Sequence, residues 1–143
     1  MAEHLNLKII TPERVVLEQQ VDSVTATAID GELQILPNHE PIITALSIDV
    51  LRYRFGQTEE TAAVLGGLME VGENEVTVLS DTAELGLEID ETRARESAQK
   101  AEAEKTQKTD KLDVYFSEMA LSKAMARVKA AELTRRRRGV RHD

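Results

Sequence analysis

Cysteine is absent from this chain of 143 residues, which excludes disulfides and thiolate metal sites and leaves the redox compartment open. Aromatic residues make up only 3%, so any core must be packed from Val, Ile, Leu, Ala and a few Met. Proline is confined to the first third, with none beyond Pro41, and glycine is missing between Gly86 and Gly139. No apolar run approaches the roughly 20 residues needed to span a bilayer. The N-terminus, Met1-Ala2-Glu3-His4, has neither a basic region nor an apolar signal core, so a soluble, cytoplasmic protein is the expectation. Only His4, His39 and His142 are histidines, and none stands at metal-ligand spacing from another ligand, so no metal is expected. There is no G-x-S-x-G elbow and no kinase-like set. Gly66-Gly67 is not followed by Lys-Ser/Thr, so no phosphate-cradling P-loop is present. A catalytic activity of its own is not expected.

What is present divides in two. Hydrophobic residues reach 41%, enough for a globular core. The net charge of −8 is unevenly placed: residues 1–85 carry four basic against fifteen acidic side chains, residues 86–143 fourteen against eleven. Such a split suggests two modules with different partners, or merely an acidic surface that keeps a small domain soluble.

The first module reads as strands. Leu5, Leu7 and Ile9 alternate with Asn6 and Lys8, the period of a half-buried strand. β-branched runs follow at Val15–Leu17, Val21–Ile29, Ile48–Phe55, Thr61–Leu65, Leu68–Val71 and Val76–Leu79, punctuated by Asp30-Gly31, Gly56-Gln57, Gly66-Gly67 and Gly72-Glu73-Asn74. Short strands with frequent turns predict a β-sandwich or barrel. Gly66-Gly67 is expected to be a tight turn that needs positive φ. Beyond Ala83 the composition becomes Ala, Glu, Lys, Arg and Gln, strong helix formers. A first helix is predicted over 90–108 with Asp90 as its N-cap, a turn over 106–110, and a second helix over 111–137. Leu112, Phe116, Ala120, Ala124, Val128 and Ala131 recur at helical spacing and form its expected apolar face. The first helix offers only Ala94, Ala98 and Ala101, which permit close approach but bury little area. The fold expected is a mixed, two-domain chain: an N-terminal all-β sandwich over 1–85, then a C-terminal antiparallel α-helical hairpin with a basic tail over 86–143.

Three stretches carry more than secondary structure. The first is Gly31-Glu32-Leu33-Gln34-Ile35-Leu36-Pro37-Asn38-His39-Glu40-Pro41, which two prolines keep out of a central strand. The second is Gly66-Gly67-x-x-Glu70-Val71 followed by Val76-Thr77-Val78-Leu79-Ser80-Asp81-Thr82-Ala83, and the third is Ile89-Asp90-Glu91-Thr92-Arg93-Ala94. In this order, and over nearly the whole length, they closely resemble the epsilon subunits of bacterial and chloroplast F-type ATP synthases. The resemblance implies a non-catalytic central-stalk rotor subunit whose sandwich couples the gamma subunit to the membrane-embedded proton-driven ring. It implies peripheral attachment at the cytoplasmic face of the inner (plasma) membrane, or at the thylakoid membrane in a photosynthetic host, without membrane insertion. The hairpin is then a regulatory element that blocks ATP hydrolysis when extended.

The same resemblance assigns residues. Glu32 and His39 are expected to contact the ring, although the residues alone favour His39 as a side chain satisfying a backbone carbonyl in a buried connection. No cofactor is required, but a regulatory ATP is expected at Glu84, Ile89, Asp90, Arg93, Ala94, Lys100, Lys123 and Arg127. Arg93 and Lys100 share one helix face, Lys123 and Arg127 another, so two packed helices would aim four cations at a triphosphate. Lysine stands at two positions where strong ATP-binding relatives have arginine, replacing a bidentate fork by a point charge. The plain alternative is that Asp90 caps the helix and Arg93 solvates its first turn. Lys123, Arg127, Lys129, Arg135, Arg136, Arg137 and Arg138 are expected to press on an acidic segment of the catalytic beta subunits, with the alpha subunits as further partners of the assembly. A basic C-terminus complementing the helix dipole, or a nucleic-acid arm, are the competing readings of the arginine run. Aromatic interleaving is missing and the chain is acidic, so no nucleic acid is expected as partner. A free-standing ATP sensor is a further rival; it predicts nucleotide binding with no affinity for gamma.

Overall fold

The computed structural model describes the backbone of residues 3–141 and the side chains through Arg137. The chain folds as eight strands, β1 (Leu5–Ile10), β2 (Val15–Val21), β3 (Ser23–Ala28), β4 (Gly31–Ile35), β5 (Ile42–Phe55), β6 (Thr58–Val71), β7 (Glu75–Leu79) and β8 (Ala83–Leu85). A single 3₁₀ turn (Gly86–Glu88) leads into helices α1 (Glu91–Gln107) and α2 (Lys111–Arg141). The strands hydrogen-bond in the order β2-β1-β7-β6-β5-β3-β4, with β8 added against β6.

One continuous ladder becomes a sandwich because β5 and β6, fourteen residues each, are shared by both layers. Their early halves and late halves use opposite parity. On β6, Ala62 and Val64 point into the core, but after Gly66-Gly67 it is Met69 and Val71 that do so. The two glycines have φ of +84° and +126°, so they switch which face of the strand is inside. The expected tight turn is therefore a bend within a strand: positive φ was foreseen, but β7 and β8 hold β6 on either side of the kink and the ladder continues. A Cβ at Gly67 would collide with the Leu79 carbonyl oxygen. The core so enclosed is Leu5, Leu7, Ile9, Val21, Val24, Ile35, Leu51, Val76 and Val78 with their neighbours, aliphatic as composition required. Tyr53 is its one buried aromatic residue among those described.

Burial, reinforced by the Glu60 carboxylate, pushes the Tyr53 phenol up to about 12. The raised value favours the neutral form in the folded state, so its contribution is complete below pH 10 and is lost as pH rises through 12. Tyr53→Phe should spare the protein about 2 kcal/mol of destabilisation by pH 12. Urea unfolding of both proteins at pH 9 and pH 12 tests this; equal losses would show that another group titrates.

β4 forms the edge of the ladder, with Pro37 and Pro41 just outside it, as their missing N–H groups demand. α1 begins where Asp90 accepts from the Arg93 amide at 3.1 Å, and α2 where Asp110 accepts from the amides of Leu112 and Asp113. Ala94, Ala98 and Ala101 are buried against α2. The expected apolar face of α2 holds only over its second half. Ala124, Val128 and Ala131 are buried, together with Ala126, Ala130 and Thr134, but Leu112 and Phe116 are 60% and 57% exposed and Ala120 is exposed too. The reason is reach. α2 lies on β5 and β6 by its C-terminal half, and its N-terminal half faces only the polar end of α1.

Candidate functional site: an interhelical cavity and a bare sheet face

The 3₁₀ turn directs α1 back so that the start of α1 and the middle of α2 enclose a cavity of about 420 Å³. Its walls are Glu84, Glu88, Ile89, Asp90, Arg93, Ala94, Ser97, Ala124 and Arg127. Six of the eight residues expected to hold ATP thus converge, although they lie up to 43 positions apart. Lys100, exposed, and Lys123, half-buried, do not line the cavity. The structure therefore brings two guanidinium groups, not four cations, to the site, and faces them with three carboxylates. Arg127 Nε donates to Glu84 Oε1 at 2.6 Å, so its fork is already engaged. Asp90 Oδ1 is engaged by the helix cap. Arg14 bridges Glu88 to the β1–β2 turn at 2.7 Å, and this ion pair raises the Arg14 pKa further above its ordinary value. Sequence reasoning missed Glu88, Ser97 and Ala124. Ser97 is one helical turn beyond Arg93 and Ala124 just under one before Arg127, a signal the 3.6-residue period carries.

Glu32 lies at the β3–β4 end of β4, where it pairs with Arg52 at 3.3 Å, and His39 lies in the loop at the other end. His39 Nδ1 sits 2.6 Å from the Glu40 carbonyl oxygen, the contact that the plain reading expected. Asn38, at φ +69°, donates its amide to Asn74 Oδ1 at 2.9 Å and staples this loop to the β6–β7 turn. Glu32 and His39 are exposed and half-buried respectively.

Five cations of α2 are also engaged: Arg127 with Glu84 as above, and four more. Lys129 pairs with Asp49 at 3.2 Å, Arg135 with Glu91 at 3.2 Å, Arg136 with Glu132, and Arg137 with Glu60. Burial pushes the Asp49 carboxyl up, but the Val50 amide and the Lys129 ammonium together outweigh it and hold Asp49 below the usual carboxylate range. The side chains of Arg138 and Arg141, and all of His142, lie outside the described residues.

One feature no motif announced is on the outer face of the second layer. Val15 pairs with Ile10, Ile10 with Leu79, Leu79 with Leu68, and Leu68 with Ala45. These apolar residues form one row across five strands, about 19 Å wide at about 4.8 Å per strand. Val15, Leu68 and Leu79 are 50%, 48% and 43% exposed, with Ile43 at 70% beside them. A groove of about 450 Å³ runs along the row past Gly66 and Gly67. The outer face of the other layer, at Val50 and Ala63, is covered by α2 through Ala130 and Leu133.

A β-sandwich joined by a 3₁₀ turn to a docked antiparallel hairpin, with no helix among the described residues long and apolar enough to cross a membrane, defines a two-module subunit type. The family described as ATP synthase, Delta/Epsilon chain matches in both of its parts, the beta-sandwich domain over residues 4–86 and the long alpha-helix domain over residues 88–132. The ATP synthase epsilon chain of Desulforamulus reducens is 46% identical over 132 residues, 92% of this chain and 100% of that one. That of Moorella thermoacetica is 47% identical over 128 residues, 89% and 96% of the two chains. The chain belongs to the ATP synthase epsilon-chain family. Its fold is shared with a chain in the cryo-EM structure of the Euglena gracilis mitochondrial ATP synthase (TM-score 0.78, 21% identity, covering 93% of this chain and 83% of that one).

Proposed function

We propose that this chain is a non-catalytic central-stalk rotor subunit of an F-type proton-translocating ATP synthase. The sandwich docks on the gamma subunit and turns its β4 edge, with Glu32 and His39, toward the membrane ring, at the cytoplasmic (or thylakoid) membrane surface. The hairpin is a brake: extended, it carries Lys123, Arg127, Lys129 and the arginine run against the beta and alpha subunits and impedes ATP hydrolysis.

The observation that carries docking is the bare apolar row. A contiguous apolar surface on an otherwise acidic module marks an interaction site. Among the described residues only this layer lacks a cover, and the glycine pair at its centre allows a partner backbone to approach closely. The pairing of Lys129, Arg137 and Arg127 with carboxylates of β5, β6 and β8 supports the brake, since those charges become free when the hairpin leaves the sandwich. The full chain and a version ending at Gly86 would be mixed with a purified alpha–beta–gamma head, and co-elution and ATP hydrolysis measured. Both forms are expected to co-elute, and only the full chain to inhibit. Co-elution without inhibition would discard the brake, and failure of either form to bind would discard the rotor reading.

The interhelical cavity supports a regulatory ATP as a second element. Its volume lies in the range of small-molecule sites, and Arg93 and Arg127 would hold phosphate oxygens once Arg127 leaves Glu84. ATP would favour the compact hairpin by no more than its differential affinity for the two states. Millimolar ATP is expected to slow amide exchange in residues 91–98 and 124–131. Unchanged exchange there would remove nucleotide from the mechanism.

A further inference from the structure

The C-terminal end of α2 meets the sandwich at two consecutive residues of β6, and the contact is of a different kind from the exposed ion pairs elsewhere. Glu60 is 7% exposed and Thr61 5%. Thr61 Oγ1 donates to the Ala130 carbonyl oxygen at 2.9 Å, which uses its only proton. Its 2.8 Å contact with Thr134 Oγ1 must then be donated by Thr134. Thr134 is itself buried. Glu60 accepts from Arg137, whose side chain is 22% exposed, the least of the paired cations on α2. The second Glu60 oxygen and Arg137 Nε have no hydrogen-bond partner among the described residues, so among these the pair is buried but incompletely satisfied.

A buried, incompletely satisfied ion pair has a particular energetic character. Its attraction scarcely exceeds the cost of desolvating both charges, so it adds little net stability, yet loss of either partner leaves the other stranded. Such a contact specifies where the helix sits without holding it irreversibly. When α2 lifts away, both charges regain water.

We infer that Glu60 and Thr61 form a latch that clamps α2 through Arg137, Thr134 and the Ala130 carbonyl, and that opening it frees the α2 cations. The latch fixes where α2 sits in the compact hairpin without a nucleotide. This rests on the proposed brake for its consequence, but not for its existence. The remaining pairs, Arg127–Glu84, Lys129–Asp49 and Arg135–Glu91, are more exposed and are individually weak. They open when the latch does.

The test is amide exchange over residues 124–134 in the full-length chain, with ATP hydrolysis by the alpha–beta–gamma head measured in parallel. Glu60→Ala is expected to speed exchange by about 100-fold, since it strands Arg137. Replacing Glu60 and Arg137 together by leucine should bring exchange back to within about tenfold of the parent. Arg136→Ala, which removes only an exposed pair within α2, should change it by less than about threefold. If Glu60→Ala and Arg136→Ala act alike, or if the double leucine variant exchanges as fast as Glu60→Ala, the latch is overturned. Glu60→Ala should also deepen inhibition of hydrolysis. Fast exchange with unchanged hydrolysis would leave the latch standing and remove the brake, whereas a functioning brake indifferent to Glu60 in both measurements would remove the latch.

Discussion

Changing Val15 and Leu68 together to aspartate is expected to weaken binding to the alpha–beta–gamma head by at least about 100-fold while leaving the sandwich folded. Both side chains belong to the apolar row and are about half exposed, 50% and 48%, so the unbound protein has little of their surface to lose. Docking buries the remainder. Half of a Val or Leu side chain is worth about 1 kcal/mol, and an unpaired carboxylate forced into an apolar interface costs several more. Even about 3 kcal/mol corresponds to a factor above 100 in affinity. The two positions stand three strands apart in the row, so the new charges repel little. Titration of labelled protein with the head, beside urea unfolding of the free variant, separates binding from folding. Retained affinity in a folded double variant would move the docking surface elsewhere.

Gly86→Ala is expected to detach α2 from the sandwich. Gly86 is buried at the start of the 3₁₀ turn. A Cβ there would fall well inside contact distance of the Thr61 and Thr134 hydroxyls and 3.0 Å from the Ala130 carbonyl oxygen. The hydroxyls cannot rotate away without surrendering their hydrogen bonds, and the carbonyl belongs to the α2 backbone. Overpacking of this kind costs about 1–3 kcal/mol, and each broken hydrogen bond about 1 kcal/mol more. The helix is the cheaper element to move, because β6 is held in the ladder on both sides. Since the chain has no cysteine, one introduced on α2 and one on β5 would carry the only two spin labels, and their separation would report docking directly. An unchanged distance distribution in Gly86→Ala would show that the turn, not the helix, yields.

These two experiments act on features of very different visibility in the sequence. The sandwich, the hairpin and the point near residue 85 where one gives way to the other were readable from periodicity and composition. Strand alternation in Leu5–Ile9, the loss of proline after Pro41 and the Asp90 cap are local properties, set by backbone sterics and the hydrogen-bonding capacity of one or two side chains. The Ile89-Asp90-x-x-Arg93-Ala94 stretch drew attention to a site, and six of the residues associated with it line one cavity. Lys100 and Lys123 do not, because sharing a helix face says nothing about which way that face turns once two helices pack.

The same limit explains the Gly66-Gly67 error. Two adjacent glycines announce positive φ, but whether the chain reverses or merely bends depends on which strands flank it, and β7 and β8 come later in the chain. Likewise the apolar spacing of α2 runs from Leu112 to Ala131 without interruption, and only contact with β5 and β6 determines that half of it is used. The apolar row was hidden for a related reason. Val15, Ile10, Leu79, Leu68 and Ala45 are scattered in sequence, each looks like an ordinary strand residue, and they become one surface only through the register of five strands.

The sequence by itself determined most of the elements and their order, the charge contrast between the two modules and the family, because these follow from local patterns and ordered motifs. Tertiary structure alone decided which charges neutralise each other, which apolar face stays bare and where α2 is clamped. Those outcomes depend on long-range pairing, and no residue carries in its own neighbourhood the identity of a partner forty to eighty positions away.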